Sequence, residues 1–289
     1  MSSVYSTASM TSVDRKPGLP VEEFIKNYLN PGIPVVIPGA MSQWKAHQKW
    51  NPSFFRDTHG DKMVRVGGKK VVLRDFMDTV LASNESTPSL YLNELNIHKE
   101  FPELLEDIDP FLSYALPDRL MTRFMPESWG MRQGVVELLI GGNGTKFPTM
   151  HHDGFHMNTF VTQIRGDKEF IFYSPDQTPY IYQLHPGSNK SAVNDVDHPD
   201  LEKYPLFAKA KALRTIVKEG DTVFLPTGWW HTTRLLSLSI AVSTNNIAAN
   251  QWNQFADDLS VTLSESKLKQ NIYRTYLKLA GVAMTLTGK

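Results

Sequence analysis

From Leu19 the apolar positions of LPVEEFIKNYL recur at helical spacing, and IPVVIPGA follows as a short strand stopped by proline and glycine. Helices are predicted again over NPSFFRDTHG, VLRDFMDTVLAS and FPELLEDI, with the short run SLYLNEL between the last two. After residue 134 the pattern changes to closely spaced strand signals: VVELLI, PTMHHD, NTFVTQI, KEFIFYS, LRTIVKE, DTVFLP, WWHTTRL and SLSIAVSTN. Such a series predicts a mainly β fold with helical elaborations, a jelly-roll barrel whose core runs from about 134 to 246. Residues 174–212, rich in Pro, Asp, Asn and Lys, interrupt the series and read as a long loop, a feature usually tied to function. Beyond 250, helical spacing returns, so 251–289 is predicted to be a C-terminal helical region that caps the barrel or pairs two copies into a homodimer. The Ser/Thr-rich residues 1–18 have too little apolar surface to offset the entropy of ordering them and are predicted to form a disordered tail, leaving 19–250 as one domain.

Composition narrows the chemistry. The chain has 289 residues, 41% of them hydrophobic, which is ample for a packed core. Cysteine is absent, so disulfide frameworks, thiolate zinc sites and cysteine nucleophiles are excluded, and any metal must take nitrogen and oxygen ligands. Thirty basic residues balance thirty acidic ones, which gives no global electrostatic reason to expect nucleic acid or a membrane surface. A protein, peptide or small molecule is the expected partner. No apolar run approaches the roughly 20 residues needed to cross a bilayer, and the N-terminus lacks the apolar core of a secretory signal, so a soluble, cytoplasmic protein is expected.

The candidate chemistry centres on PTMHHDGFHMN, residues 148–158. In a strand, side chains alternate between faces, so His151 and Asp153 project together and His152 points away. In a helix, His152 and His156 would share a face instead. Pro148, Gly154 and the β-branched NTFVTQI beyond disfavour that, and no glutamate lies between the two histidines to act as a base. LPTGWWHTTRL supplies a further donor: Pro226, Thr227 and Gly228 make a turn that places His231 near the start of the outgoing strand. His151, Asp153 and His231 would then form the 2-His-1-carboxylate set of non-haem Fe(II) oxygenases, which leaves three coordination positions for a bidentate 2-oxo acid and O2. In QIRGDKEF, Lys168 follows a Gly166–Asp167 hairpin turn on the strand beside the metal strand and offers a point charge for a carboxylate. Arg165 is the competitor, but its place at the turn favours exposure. His47, His59, His98, His185 and His198 read foremost as structural or exposed histidines. Of Trp229 and Trp230, alternation sends one to the core and the other outward, with packing the expected role; Trp230 is kept as a possible substrate contact.

Taken together these residues resemble the JmjC, or cupin-like, Fe(II)- and 2-oxoglutarate-dependent hydroxylases, within them the subgroup containing the asparaginyl hydroxylase of hypoxia-inducible factor. The resemblance rests on GIPVVIPGAMSQWKA, KWNPSFFRDTHGDKMVRV, LYLNEL, DHPDLEKYPLF, KEGDTVFLPTGWWH and IAVSTN in that order, and it spans most of the chain after about residue 18. It implies Fe(II) ligation by His151, Asp153 and His231, with 2-oxoglutarate and O2 as cosubstrates. It also implies that Lys168, helped by the Tyr91 hydroxyl, holds the distal carboxylate of 2-oxoglutarate, with Thr149, Asn158 and Ser243 as further cosubstrate contacts. His156 matches no ligand of that pattern and is a candidate to face substrate. Tyr180, Tyr182 and His185 fall in the 174–212 insert, where relatives shape the substrate entrance. The implied reaction hydroxylates an unactivated C–H bond of a protein side chain or a small metabolite. The carboxylate ligand favours hydroxylation over the halogenation of related enzymes that lack it. Two other classes stay open: a metal-binding cupin with hydrolase or isomerase chemistry and no 2-oxo acid, and a catalytically silent binding module on the same fold.

Overall fold

The computed structural model describes residues 10–116 and 118–287. The N-terminal part runs β1 (Asp14–Arg15), α1 (Val21–Phe24, continued as a π-helical turn to Leu29), β2 (Val35–Pro38), α2 (Ala46–Lys49) and α3 (Pro52–Thr58). A hairpin of β3 (Met63–Val66) and β4 (Lys69–Val72) follows, then α4 (Leu73–Ala82), β5 (Leu92–Asn96) and α5 (Ile97–Glu100). The barrel strands are β6 (Val135–Gly141), β7 (Asn158–Arg165), β8 (Lys168–Tyr173), β9 (Leu213–Val217), β10 (Asp221–Leu225), β11 (Trp230–Leu235) and β12 (Ser239–Asn246). The short α6 (Thr178–Ile181) lies in the insert, and α7 (Trp252–Thr262) and α8 (Lys267–Leu286) close the chain.

Local chemistry explains the helices. Asn51 caps α3 by accepting from the Phe54 amide, with Pro52 in the first turn, where its missing N–H costs nothing. Leu73, Phe76, Met77 and Val80 bury one stripe of α4. FPELLEDI, expected as an α-helix, is the tighter 3-10 form over Pro102–Asp107. Residues 10–18 are not a frayed tail: Asp14–Arg15 pair in parallel with Val35–Val36, Val13 is buried, and Met10 packs on the core beneath it. A few apolar side chains with a strand edge to dock on suffice to order the segment. The rest of the expected tail, residues 1–9, lies outside the described residues.

Among the described residues the barrel consists of a seven-stranded sheet, β1-β2-β10-β7-β12-β6-β5, and a three-stranded sheet, β11-β8-β9. β7 and β8 belong to different sheets and do not pair, so the Gly166 turn is not a hairpin. It carries the chain from β7 in the large sheet to β8 in the small one. Gly166 has φ +69°, and a Cβ there would lie 2.0 Å from the Leu238 carbonyl oxygen. Lys168 is therefore one strand removed from the metal-binding segment: β8 pairs with β11, and β11 bridges to His151 on its other side.

Alternation sorts the core into layers. Leu139, Val161 and Ala241 point between the sheets, where Phe170, Phe172 and Val217 meet them. Their neighbours Leu138, Ile140, Phe160 and Val242 point the other way, into the N-terminal helices. The outer face of the small sheet, with Ile171, Tyr173 and Trp230, is covered by Ile181, Val193 and Phe207 of the insert. Both tryptophans beside His231 are consequently buried, Trp229 between the sheets and Trp230 under the insert. At the C-terminus α7 and α8 pack so closely that a Cβ at Gly281 would lie 2.3 Å from the Trp252 ring. The outward face of α8 leaves Leu268, Ile272, Leu279, Val282 and Leu286 exposed. No helix among the described residues is long and apolar enough to cross a membrane.

Candidate metal centre and cosubstrate cavity

PTMHHD forms no regular strand. His151 alone makes bridges, to His231 on one side and to Lys190 of the insert on the other. The bridge to His231 is reciprocal, each amide donating to the other's carbonyl at 3.0 and 2.7 Å, which sets the two residues directly opposite one another. Their rings stand 4.4 Å apart between centroids. Asp153 joins them: one ligand-type atom from each of His151, Asp153 and His231 lies within 4.8 Å of the others. The expected His-x-Asp projection thus holds for the two side chains although the strand that motivated it is reduced to a single bridge.

The donor set fits a divalent cation. His151 Nδ1 lies 3.1 Å from the Thr149 carbonyl oxygen and His231 Nδ1 lies 3.0 Å from that of Trp229. A carbonyl can only accept, so in both neutral rings the proton sits on Nδ1 and Nε2 keeps its lone pair. Burial, with His231 alongside, lowers the pKa of His151 and keeps the ring neutral, the state a metal ligand needs. His151 Nε2 is 3.8 Å from Asp153 Oδ1, while Asp153 Oδ2 accepts a 2.5 Å hydrogen bond from the Thr159 hydroxyl. The ring of Phe147 stacks on His151 at 4.6 Å.

The three side chains open into a narrow inner cavity of about 80 Å³ between the sheets. At its far end is Lys168, fully buried, whose ammonium meets the Tyr91 hydroxyl at 3.0 Å and the ring faces of Tyr91 and Phe170. Among the described residues no salt bridge forms at this lysine, and desolvation pushes its pKa down to about 7. Thr233, two residues beyond His231, faces the same end; its buried hydroxyl sits near that of Tyr91 without a well-formed hydrogen bond. Ser243 also lines the cavity.

Two expected cosubstrate contacts are elsewhere. Thr149 contributes its carbonyl to His151, and its side chain does not line the cavity. Asn158 is buried on the opposite face of β7, where its amide and Gln251 exchange hydrogen bonds and its carbonyl accepts from the Thr227 amide. The inward residue is its neighbour Thr159. Phe155 and His156, both left-handed at φ 55° and 53°, lie just before β7 and break the alternation that leads into it. Thr159, Thr233, Asn93, Glu137 and Phe147 line the cavity without having been anticipated. Thr233 was accessible from alternation two residues after His231, and Glu137 from its position opposite Ser243.

Outside the metal centre lies a wider cleft of about 740 Å³, with walls from residues 152–156, the insert, the 227–228 turn and α7. His156 lies here, 3.5 Å from Asp258, and His185 lines the opposite side. Tyr180 borders a separate hollow with Lys209 and Lys211. Tyr182 packs on Tyr204, and its hydroxyl accepts from the Leu206 amide. Trp230 donates to Thr178 and packs edge-on against His152. These three serve the packing of the insert and do not line the cleft.

The sequence profile of the cupin-like domain matches residues 61–258. The chain belongs to the cupin-like, JmjC-containing family. Within it the chain is 29% identical over 235 residues to Lysine-specific demethylase 8 of Xenopus tropicalis, covering 77% of this chain and 50% of that protein. It is 24% identical over 286 residues to the Bifunctional peptidase and (3S)-lysyl hydroxylase JMJD7 of Homo sapiens, with 84% of each chain covered. It is 29% identical over 248 residues to the tRNA wybutosine-synthesizing protein 5 of Gallus gallus, with 74% of this chain and 70% of that protein covered. The chain spans about half the length of the demethylase relatives. These cupin-like relatives carry the family and do not single out the asparaginyl hydroxylase subgroup.

Proposed function

We propose that this chain is an Fe(II)- and 2-oxoglutarate-dependent dioxygenase that hydroxylates an unactivated C–H bond. A three-ligand centre alone is equally suited to a hydrolase or an isomerase. Lys168 carries the distinction: a cation buried at the far end of the metal cavity, with no salt bridge among the described residues, is costly unless an anionic ligand completes it. A dicarboxylate with one end at the metal and the other at Lys168 satisfies both ends of the cavity.

His151 and His231 would offer Nε2 and Asp153 would offer Oδ1, their rings and carboxylate held by Thr149, Trp229 and Thr159. Lys168 and Tyr91 would bind and orient the distal carboxylate, while Phe147, Val161 and Phe170 exclude water from the space between. Bound iron would supply the site for O2 activation, with two electrons coming from the oxidative decarboxylation of 2-oxoglutarate to succinate and CO2 and two from the substrate C–H bond. The outer cleft holds the target carbon at the mouth of this cavity, and its width supports a protein or peptide side chain over a small metabolite.

Anaerobic loading with Fe(II) and 2-oxoglutarate followed by O2 should yield succinate, and mass spectrometry of candidate peptides should show a gain of one oxygen. Succinate that forms neither with nor without substrate would refute the oxygenase reading.

The outward face of α8 supports a homodimer. Leu268, Ile272, Tyr276, Leu279, Val282 and Leu286 recur every three or four residues, the spacing of one helix face. The helix carries Lys267, Lys269, Arg274 and Lys278 and no acidic residue, so an antiparallel arrangement avoids juxtaposing the basic halves. Leu279→Asp should halve the mass measured by sedimentation; a monomeric wild-type chain would disprove the pairing.

A further inference from the structure

Thr159 is a polar residue on the inner face of a barrel strand, 4% exposed, at a position otherwise given to apolar packing. Its hydroxyl donates to Asp153 Oδ2 at 2.5 Å. Directly across on β12, Asn245 donates its amide to the Thr159 oxygen at 2.6 Å. Chemistry fixes the polarity of this chain. An ionised carboxylate can only accept, so the threonine proton must point at Asp153; the threonine oxygen is then left to accept, and only the NH2 side of Asn245 can donate to it.

We propose that Asn245 and Thr159 form a positioning relay that keeps Asp153 a one-oxygen ligand. This inference rests on the metal reading given above. With Oδ2 committed to Thr159, Oδ1 is the oxygen turned toward His151 Nε2, 3.8 Å away. A carboxylate free to rotate can present both oxygens to a metal and fill one of the positions that a bidentate 2-oxo acid and O2 require. The relay prevents this by an inward hydrogen bond and not by bulk. It is anchored to the large sheet through two adjacent strands, whereas Asp153 itself lies in an irregular segment that precedes a left-handed pair of residues. The sheet thereby lends its rigidity to the one ligand that no strand holds.

The test uses Co(II) as an oxygen-insensitive probe, titrated into the wild-type chain, Thr159→Val, Thr159→Ser and Asn245→Leu. The readouts are the dissociation constant from calorimetry and the visible d–d spectrum of the bound ion. Removing the hydroxyl with Thr159→Val should weaken Co(II) binding about 10–100-fold, the usual cost of losing a ligand's hydrogen-bond partner, and should shift the spectrum toward higher coordination. Thr159→Ser, which keeps the hydroxyl, should restore both. Asn245→Leu should change both in the same direction by less. Thermal unfolding of the metal-free variants separates these effects from a folding defect. Wild-type binding with a Thr159→Val chain of unchanged affinity and spectrum would overturn the relay alone. A wild-type chain that takes up no Co(II) would overturn the metal centre itself, and the relay with it.

Discussion

The inner cavity and the outer cleft meet at Asp153, which lines both, yet they are built by opposite means. The inner wall is mostly strand: β6, β7, β8 and β11 contribute alternate residues and β5 and β12 one each, while Phe147, His151 and Asp153 come from the irregular segment between β6 and β7. The outer wall is loop, insert and the last turns of α7, held together by contacts such as the His156–Asp258 pair. Periodic backbone fixes positions to within a rotamer, and irregular backbone leaves shape free to vary. On the proposed function, the reaction would belong to the more regular of the two walls and the choice of substrate to the less regular one.

Substitutions sharpen the contrast. The largest effect is expected for His231→Ala, which should abolish metal uptake and lower turnover about a thousandfold or more, measured as succinate formation beside a metal titration. Next, Lys168→Met should weaken 2-oxoglutarate about 10–100-fold, the worth of one charge-assisted hydrogen bond of about 1.5–3 kcal/mol, with metal affinity unchanged. A cleft variant should behave differently: Val261→Arg, on the outer wall, should raise the KM for the hydroxylated substrate about tenfold, roughly 1.4 kcal/mol, and leave 2-oxoglutarate binding intact. Equal effects of Val261→Arg on both ligands would break the division between the two spaces. The smallest effect is expected for Tyr91→Phe, which removes one neutral partner of Lys168 and should weaken 2-oxoglutarate about fivefold, near 1 kcal/mol.

Lys168 also sets a pH signature of the inner cavity. Its pKa is about 7 in the fold against 10.5 for the free side chain, so between those values the unfolded chain binds more protons. Stability of the ligand-free protein should rise with pH across that window, by up to about 1.4 kcal/mol per unit from this group, and be indifferent to it below pH 7. Denaturant titrations from pH 6.5 to 9 should show the slope in wild type and lose it in Lys168→Met. Adding Co(II) and 2-oxoglutarate should flatten it as well, since the bound carboxylate keeps the lysine charged.

The same division decided what could be read from the sequence. His151, Asp153, His231 and Lys168 were legible because each follows from alternation next to a glycine or proline turn. Ser243 was placed by the resemblance of IAVSTN alone, and it lines the cavity. Asn158 was misplaced by a single position, because nothing in GFHMN announces that two non-glycine residues will adopt positive φ. Thr149 was expected from its place just before a ligand, whereas the threonine that lines the cavity is Thr233 on β11, whose pairing with the Lys168 strand only the sheet order reveals. Tyr180 and Tyr182 lie in an insert with no period to reason from, and there the expectation failed. Trp230 was expected to pack, and the reason it does so is that the insert folds back over the outer face of the small sheet.

A fold that buries an ammonium with only a phenol and two ring faces around it would hold together better with a dicarboxylate bound. Because the empty form opens more often, proteases would remove it sooner, and the amount of enzyme surviving in a cell would track the supply of the keto acid. Abundance and catalytic capacity would then rise and fall with one metabolite.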